Sequence, residues 1–134
     1  MIEIEEDYVS FETAKLLKEK GFDAYIHLWY DENGEMFHKF HYEIKTNWRI
    51  RHGQEVYQCP TIQMAMKWLR EVYKLSVRPR YDEVEDEKEH LHYAWFFDIL
   101  SMNPYKTLVE PTQGYFSYEE ACDMAIRYCL EHLI

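Results

Sequence analysis

The sequence predicts an α+β fold, an antiparallel sheet of about four strands with three helices in the order α-β-β-α-β-β-α. Three observations predict it. A helix-start pattern of hydroxyl, large apolar residue and Glu or Gln, with Ala four places on, occurs at Ser10-Phe11-Glu12-Thr13-Ala14, Thr61-Ile62-Gln63-Met64-Ala65 and Ser117-Tyr118-Glu119-Glu120-Ala121. In each, the Ser or Thr oxygen can accept from a free amide of the first helical turn. The segments between read as strands, and Asn33-Gly34, His52-Gly53 and Asn103-Pro104 supply turns. The three helices are expected to shield the apolar side of one curved sheet in a single α+β domain, 1–134. The recurring pattern also admits a duplicated αββ unit closed by a third helix. Independent use of a good cap is the simpler account, because little else repeats.

The first helix is predicted over 11–20. Lys18 and Lys20 suit its negative end, Gly21 can take the left-handed conformation past the cap, and Phe22 then packs back on Leu17 as in a Schellman turn. Strands over 24–30 and 36–44 follow. A two-residue Asn-Gly loop would set Ile26 opposite His41 and mix the faces. A three-residue loop of Glu32, Asn33 and Gly34 instead pairs Ile26 with Phe40 and Tyr30 with Met36. One slip of register inverts every side chain, so the second arrangement is preferred. Its inward face carries Ile26, Leu28, Tyr30, Met36 and Phe40, with His38 among them.

Residues 45–58 are ambiguous, with a short strand near Trp48 as one reading. Pro60 bars helix upstream, so the second helix runs from Thr61 to about Leu75 on a stripe of Ala65, Trp68, Leu69, Val72 and Tyr73. It is expected to be the best-buried helix. A strand over 77–84 contains Pro79 and belongs at a sheet edge or is broken. The run 82–89 carries six acids and one Lys and reads as a solvated loop. From Leu91, Tyr93, Trp95, Phe97 and Ile99 face one way while His92, Ala94, Phe96, Asp98 and Leu100 face the other. A strand apolar on both sides is expected to be central or to cover an interface. A short strand over 107–110 precedes the last helix, where Ser117 and Glu120 form a capping box.

The chain has 134 residues, is 47% hydrophobic and carries a net charge of −10, which suits a folded globular protein. No apolar run approaches the roughly 20 residues of a membrane helix. The acidic start, Met1 to Asp7, lacks the pattern of a signal peptide, so a cytoplasmic location is the default expectation. The three cysteines have no framework spacing, and Cys122 and Cys129 stand about 10.5 Å apart along a helix, too far for a disulfide. Cys122 and Cys129 read as small core residues. The acidic balance argues against broad binding to nucleic acid. Aromatic residues make up 17% of the chain, twelve of them Tyr, so some rings are expected on a contact surface. The plainer alternative seats many tyrosines at the boundary, ring inside and hydroxyl in water.

No motif assembles an active site. His90 and His92 share a strand face beside the 82–89 carboxylates and could donate to a divalent metal, but spacing fixes no third ligand and a solvated loop edge is preferred. His38 and His41 fall on opposite faces and cannot chelate one ion. Cys59, near a helix start, is a weak candidate nucleophile with no specified base. Trp48, Arg49, Arg51 and His52, joined in one version by Arg78 and Arg80, could make an aromatic-basic patch for single strands, against the plainer reading of outward arginines. Trp29, Trp48, Arg49, Arg51 and Phe96 are the candidate residues of an interaction surface. No cofactor is implied.

Three blocks carry a further likeness: Tyr8-Val-Ser-Phe-Glu-Thr-Ala-Lys-Leu-Leu-Lys-Glu-Lys-Gly21, Cys59-Pro-Thr-Ile-Gln-Met-Ala-Met-Lys-Trp-Leu-Arg-Glu-Val-Tyr73 and Tyr115-Phe-Ser-Tyr-Glu-Glu-Ala121. Their wording resembles the small uncharacterised proteins of gut Bacteroidales phages, prophages and mobile elements. That resemblance implies an intracellular accessory protein and assigns no residue a role. The leading expectation is therefore a non-enzymatic protein acting through protein contacts, with a homodimer as one form. The alternatives are an acidic nucleic-acid mimic or inhibitor of a nucleic-acid-binding protein, and a metal-dependent enzyme centred on His90 and His92. Direct nucleic-acid binding comes last.

Overall fold

The computed structural model describes residues 1–39, 54–85, 91–111 and 113–134. Its contacts divide the chain into two compact units, Met1–Thr61 and Ile62–Ile134. Among the described residues the architecture is mixed α+β with three α-helices. Six strands there form two three-stranded antiparallel sheets, in place of one sheet of about four. Each expected strand pair carries a third strand, at Tyr57–Gln58 in the first sheet and, close to the short strand expected over 107–110, at Tyr105–Val109 in the second.

In the first unit α1, Phe11–Glu19, starts at Ser10, whose Oγ accepts from the Thr13 amide at 3.3 Å. It ends as the sequence predicts. Phe22 N–H donates to the Leu17 carbonyl at 2.9 Å and Gly21 N–H to Lys18 at 3.1 Å, the paired bonds of a Schellman turn. Leu17 and Phe22 are both buried. Strands β1, Leu28–Tyr30, and β2, Met36–His38, pair with Tyr30 opposite Met36, the predicted register. The three-residue loop is also as expected: Gly34 is left-handed (φ +81), and Asp31 Oδ1 accepts from the amides of Asn33 and Glu35. The expected partner of Ile26, Phe40, lies outside the described residues.

A third strand, β3 at Tyr57–Gln58, pairs with the other side of β1 and gives the order β2-β1-β3. Gln58 is wholly buried yet satisfied. Its amide nitrogen donates to the Ala24 carbonyl (2.8 Å) and to Asp23 (3.1 Å), and its oxygen accepts from Ala24 N–H (3.1 Å). One side chain thereby supplies what a further stretch of strand would give the Ala24 backbone, and holds the Asp23 carboxylate besides. The chain before α1 is tied down by a bridge of Tyr8 with Thr61, by Val9 N–H on the Pro60 carbonyl, and by the Tyr30 hydroxyl on the Val9 carbonyl at 2.5 Å.

In the second unit α2, Ile62–Tyr73, leads into β4, Leu75–Glu85, which pairs with β5, Leu91–Met102; β6, Tyr105–Val109, completes the order β4-β5-β6. β5 is central, as its two apolar faces predict. Pro79 sits in an edge strand that runs unbroken. The strand expected over 77–84 runs on to Glu85, so the described part of the acidic run 82–89 stays in β4 and not in a loop, while 86–90 lie outside the described residues. A duplicated unit would repeat its strand order. These sheets do not, since the first strand is central in one and the second in the other.

The last helix, α3 at Tyr118–Tyr128, is capped by Ser117 Oγ on the Glu120 amide at 3.0 Å and continues as a π-helical segment over Cys129–Leu133. It packs on both β4 and β5. It, rather than α2, is the best-buried helix: Ala121, Cys122, Ala125, Ile126, Cys129 and Leu130 are wholly buried, whereas Val72 of the α2 stripe is exposed. Small side chains let a helix axis approach a sheet closely, which explains the difference.

Gly21 has φ +86, and a Cβ added there meets nothing within 4 Å. Gly21→Ala is therefore expected to lower unfolding free energy by about 1 kcal/mol through backbone strain alone. Urea denaturation would check this, with Gly21→Asn expected to fall between the two.

Candidate interaction surface

The two faces of the β4–β5 ribbon differ in chemistry, and register decides which residue joins which face. Arg78 pairs with Asp98, Arg80 with Phe96, Tyr81 with Trp95, and Glu83 with Tyr93. Successive side chains alternate, so the odd-numbered residues share one face and the even-numbered the other.

On the even face Arg78 grips Asp98 through a fork, Nε to Oδ1 at 2.9 Å and Nη2 to Oδ2 at 2.8 Å. Asp98 is buried, and the hydrogen bonds from Arg78 hold its carboxyl below the usual range against the opposing effect of burial. Gly114 passes beside this face, where an added Cβ would stand 2.7 Å from the Ala94 Cβ and 3.3 Å from the Phe96 ring. Only glycine fits that approach. It brings Tyr115 onto β5, and Trp95 and Tyr115 exchange two backbone bonds of 2.9 and 2.7 Å.

On the odd face the aromatic rings form a connected run. Tyr93 stacks on Tyr81 with centroids 5.7 Å apart and planes at 15°; Tyr81 leans on Trp95 at 5.2 Å; Trp95 meets Tyr118 edge-on at 5.3 Å. The Tyr118 hydroxyl accepts from Gln63 Nε2 at 2.8 Å, and burial pushes this phenol up. The outer end of the run is open, with Tyr81 58% and Tyr93 56% exposed. The contact of Trp95 with Tyr118 places α3 on this face at the inner end, where Val77 and Ile99 are buried.

The free edge of β4 is poorly suited to accept another strand. Trp95 directs its N–H and C=O to Tyr115, away from β4, so Tyr81 opposite it turns its own main-chain groups outward. By alternation the main chains of Pro79 and Glu83 also face outward. Pro79 has no N–H, and the Glu83 amide already donates to Asp82 Oδ1 at 2.8 Å. Both devices blunt an edge. The side-chain face, more than the strand edge, is what the ribbon offers.

Of the residues singled out from sequence, Trp29 lies in the core of the first unit, 1% exposed, and is no surface residue. Two adjacent β1 residues, Trp29 and Tyr30, are buried, so simple alternation failed there, and Met36 of the expected inward face is exposed. Phe96 is half-buried on the even face near Gly114. His92 is exposed on that face opposite Val84; His90, Trp48, Arg49, Arg51 and His52 lie outside the described residues. Among the described residues no group of three or more His, Cys, Asp or Glu is placed to hold a metal ion. All three cysteines are free and buried, and burial pushes Cys59 and Cys122 up to about 11 and Cys129 to about 12. A buried, neutral thiol is a poor nucleophile, which argues against the catalytic reading of Cys59. Tyr81 and Tyr93 were missed. Setting the 77–84 strand against the 91–99 strand in register would have found them.

No protein-family model, curated protein or solved structure matches this chain. Among the described residues no helix is long and apolar enough to cross a membrane.

The Asp98 carboxyl titrates lower in the folded protein than in the unfolded chain, so its ion pair stabilises fully above the unfolded value and less as pH falls through the folded one. Asp98→Asn is expected to lower the urea midpoint at pH 7. The gap from wild type should narrow once pH drops below about 4. A gap independent of pH would remove the ion pair as its cause.

Proposed function

We propose that this is a small intracellular accessory protein, phage- or prophage-related, that works through protein contacts without catalysis. The observation that carries the reading is the open run of Tyr93, Tyr81 and Trp95 on one face of the β4–β5 ribbon. Exposed stacked rings of this kind supply large rigid contact area at low entropic cost, the composition of interface centres. The resemblance of three sequence blocks to proteins of Bacteroidales phages and mobile elements supports the biological setting. A net charge of −10 on every copy opposes self-association and favours a different protein as partner.

A photoactivatable aromatic residue placed at position 93 tests the contact in the cell of origin. Cross-links to one defined protein are expected from position 93 and not from position 123, on α3. Cross-links that form equally from both positions, or only to nucleic acid, would overturn the reading. Packaging, replication or mobilisation genes beside the coding sequence are expected, and a metabolic operon would contradict the phage setting.

A further inference from the structure

We infer that the aromatic face of the β4–β5 ribbon receives arginine side chains from a basic segment of the partner protein. The inference rests on the protein-contact reading above and names the chemistry of the partner.

The charges on the ribbon are sorted by face. Arg78 and Arg80 of β4 both project from the even face, and Arg78 is already held by Asp98. On the odd face, Pro79, Tyr81, Glu83, Tyr93, Trp95 and Phe97 include one carboxylate and no cation. Glu83 stands directly opposite Tyr93 in a non-hydrogen-bonded pair, the kind in which side chains lie closest. A ring face is electron-rich, and a guanidinium is the cation that best lies flat on one. Tyr93 and Tyr81 are already stacked at 15°, so a planar guanidinium continues an existing stack, and the Glu83 carboxylate is within a residue's reach to accept its N–H groups.

The same chain uses this chemistry internally. Lys15 Nζ lies 4.6 Å from the centroid of Phe11 and Lys18 Nζ 4.9 Å from that of Tyr57. Two other occupants fit less well. A second copy brings another ten negative charges to a face that already carries Glu83. A single-stranded nucleic acid could stack on the rings, but its phosphates would meet that carboxylate, and none of the described β4 or β5 residues of the odd face is a cation to offset them.

Chemical-shift titration of the full-length, isotope-labelled protein tests this. The probe is a short peptide alternating glycine and arginine; the controls are the same peptide with citrulline for arginine and an oligothymidine single strand. The arginine peptide is expected to shift the amides of Tyr81, Glu83 and Tyr93 and the Trp95 indole N–H. Citrulline should weaken binding about fivefold or more, Tyr93→Leu about fivefold, and Glu83→Gln about threefold, with Tyr93→Phe near wild type. All three variants alter exposed side chains, and their amide spectra report whether the fold is kept.

Equal binding of the arginine and citrulline peptides at these positions overturns the cation and leaves the protein contact standing. Arginine binding that Tyr93→Leu does not change overturns the ring site, because diffuse acidity then explains it. Silence of both peptides overturns the inference, while the cross-links from position 93 report separately on the contact. Shifts caused only by oligothymidine overturn both readings.

Discussion

The second unit depends on the register in which β4 meets β5. With Tyr81 opposite Trp95, Val77 and Ile99 go into the core, Arg78 finds Asp98, and Tyr81, Tyr93 and Trp95 share one face. Moving one strand by a single residue would send Val77 to the side of Asp98 and separate the rings. Two features pin the strands. The Arg78–Asp98 fork is specific in direction as well as charge, and removing one partner of a buried, hydrogen-bonded carboxylate strands the other. The backbone exchange of Trp95 with Tyr115 then fixes the orientation of β5 from its other side, through an approach that Gly114 permits.

The first unit solves a related problem with different material. β1 and β3 share only a short ladder, and Gln58 extends its influence by bonding the Ala24 backbone through both ends of its amide. A buried amide is costly unless satisfied, and here the bonds that satisfy it also position the chain leading into β1. Lys18 adds a second tie, reaching Glu55 at 2.6 Å beside the Tyr57 ring. Polar side chains thus stand in for strand length in one unit, while long strands and small helix residues serve the other.

What could be read from the sequence was local. Caps at Ser10 and Ser117, the Schellman turn at Gly21 and the three-residue loop ending at Gly34 each follow from the chemistry of a few adjacent residues, and each stands where it was expected. Central placement of β5 followed from its two apolar faces. What could not be read was non-local. Trp29 and Tyr30 are both buried, Tyr30 against Phe11 of α1 with its hydroxyl on the Val9 carbonyl, a covering by residues distant in sequence that no alternation within 24–30 reveals. Asp82, Glu83 and Glu85 stay in β4 because that stretch is paired with β5, overriding a composition that suits a loop. The interaction surface was expected at Trp29, Trp48, Arg49, Arg51 and Phe96; Trp29 is buried, Phe96 half-buried and the other three lie outside the described residues, whereas the open ends of Tyr81 and Tyr93 show only once the strands are paired.

Interstrand proton contacts measure that register most directly. In an antiparallel ladder the α-protons of a non-hydrogen-bonded pair lie closest together. Strong nuclear Overhauser effects are expected between the α-protons of Tyr81 and Trp95 and between those of Glu83 and Tyr93. Strong effects from Tyr81 to Ala94 or Phe96 instead would mean a shifted ladder, and the sorted faces, the ion pair and the aromatic run would be lost together.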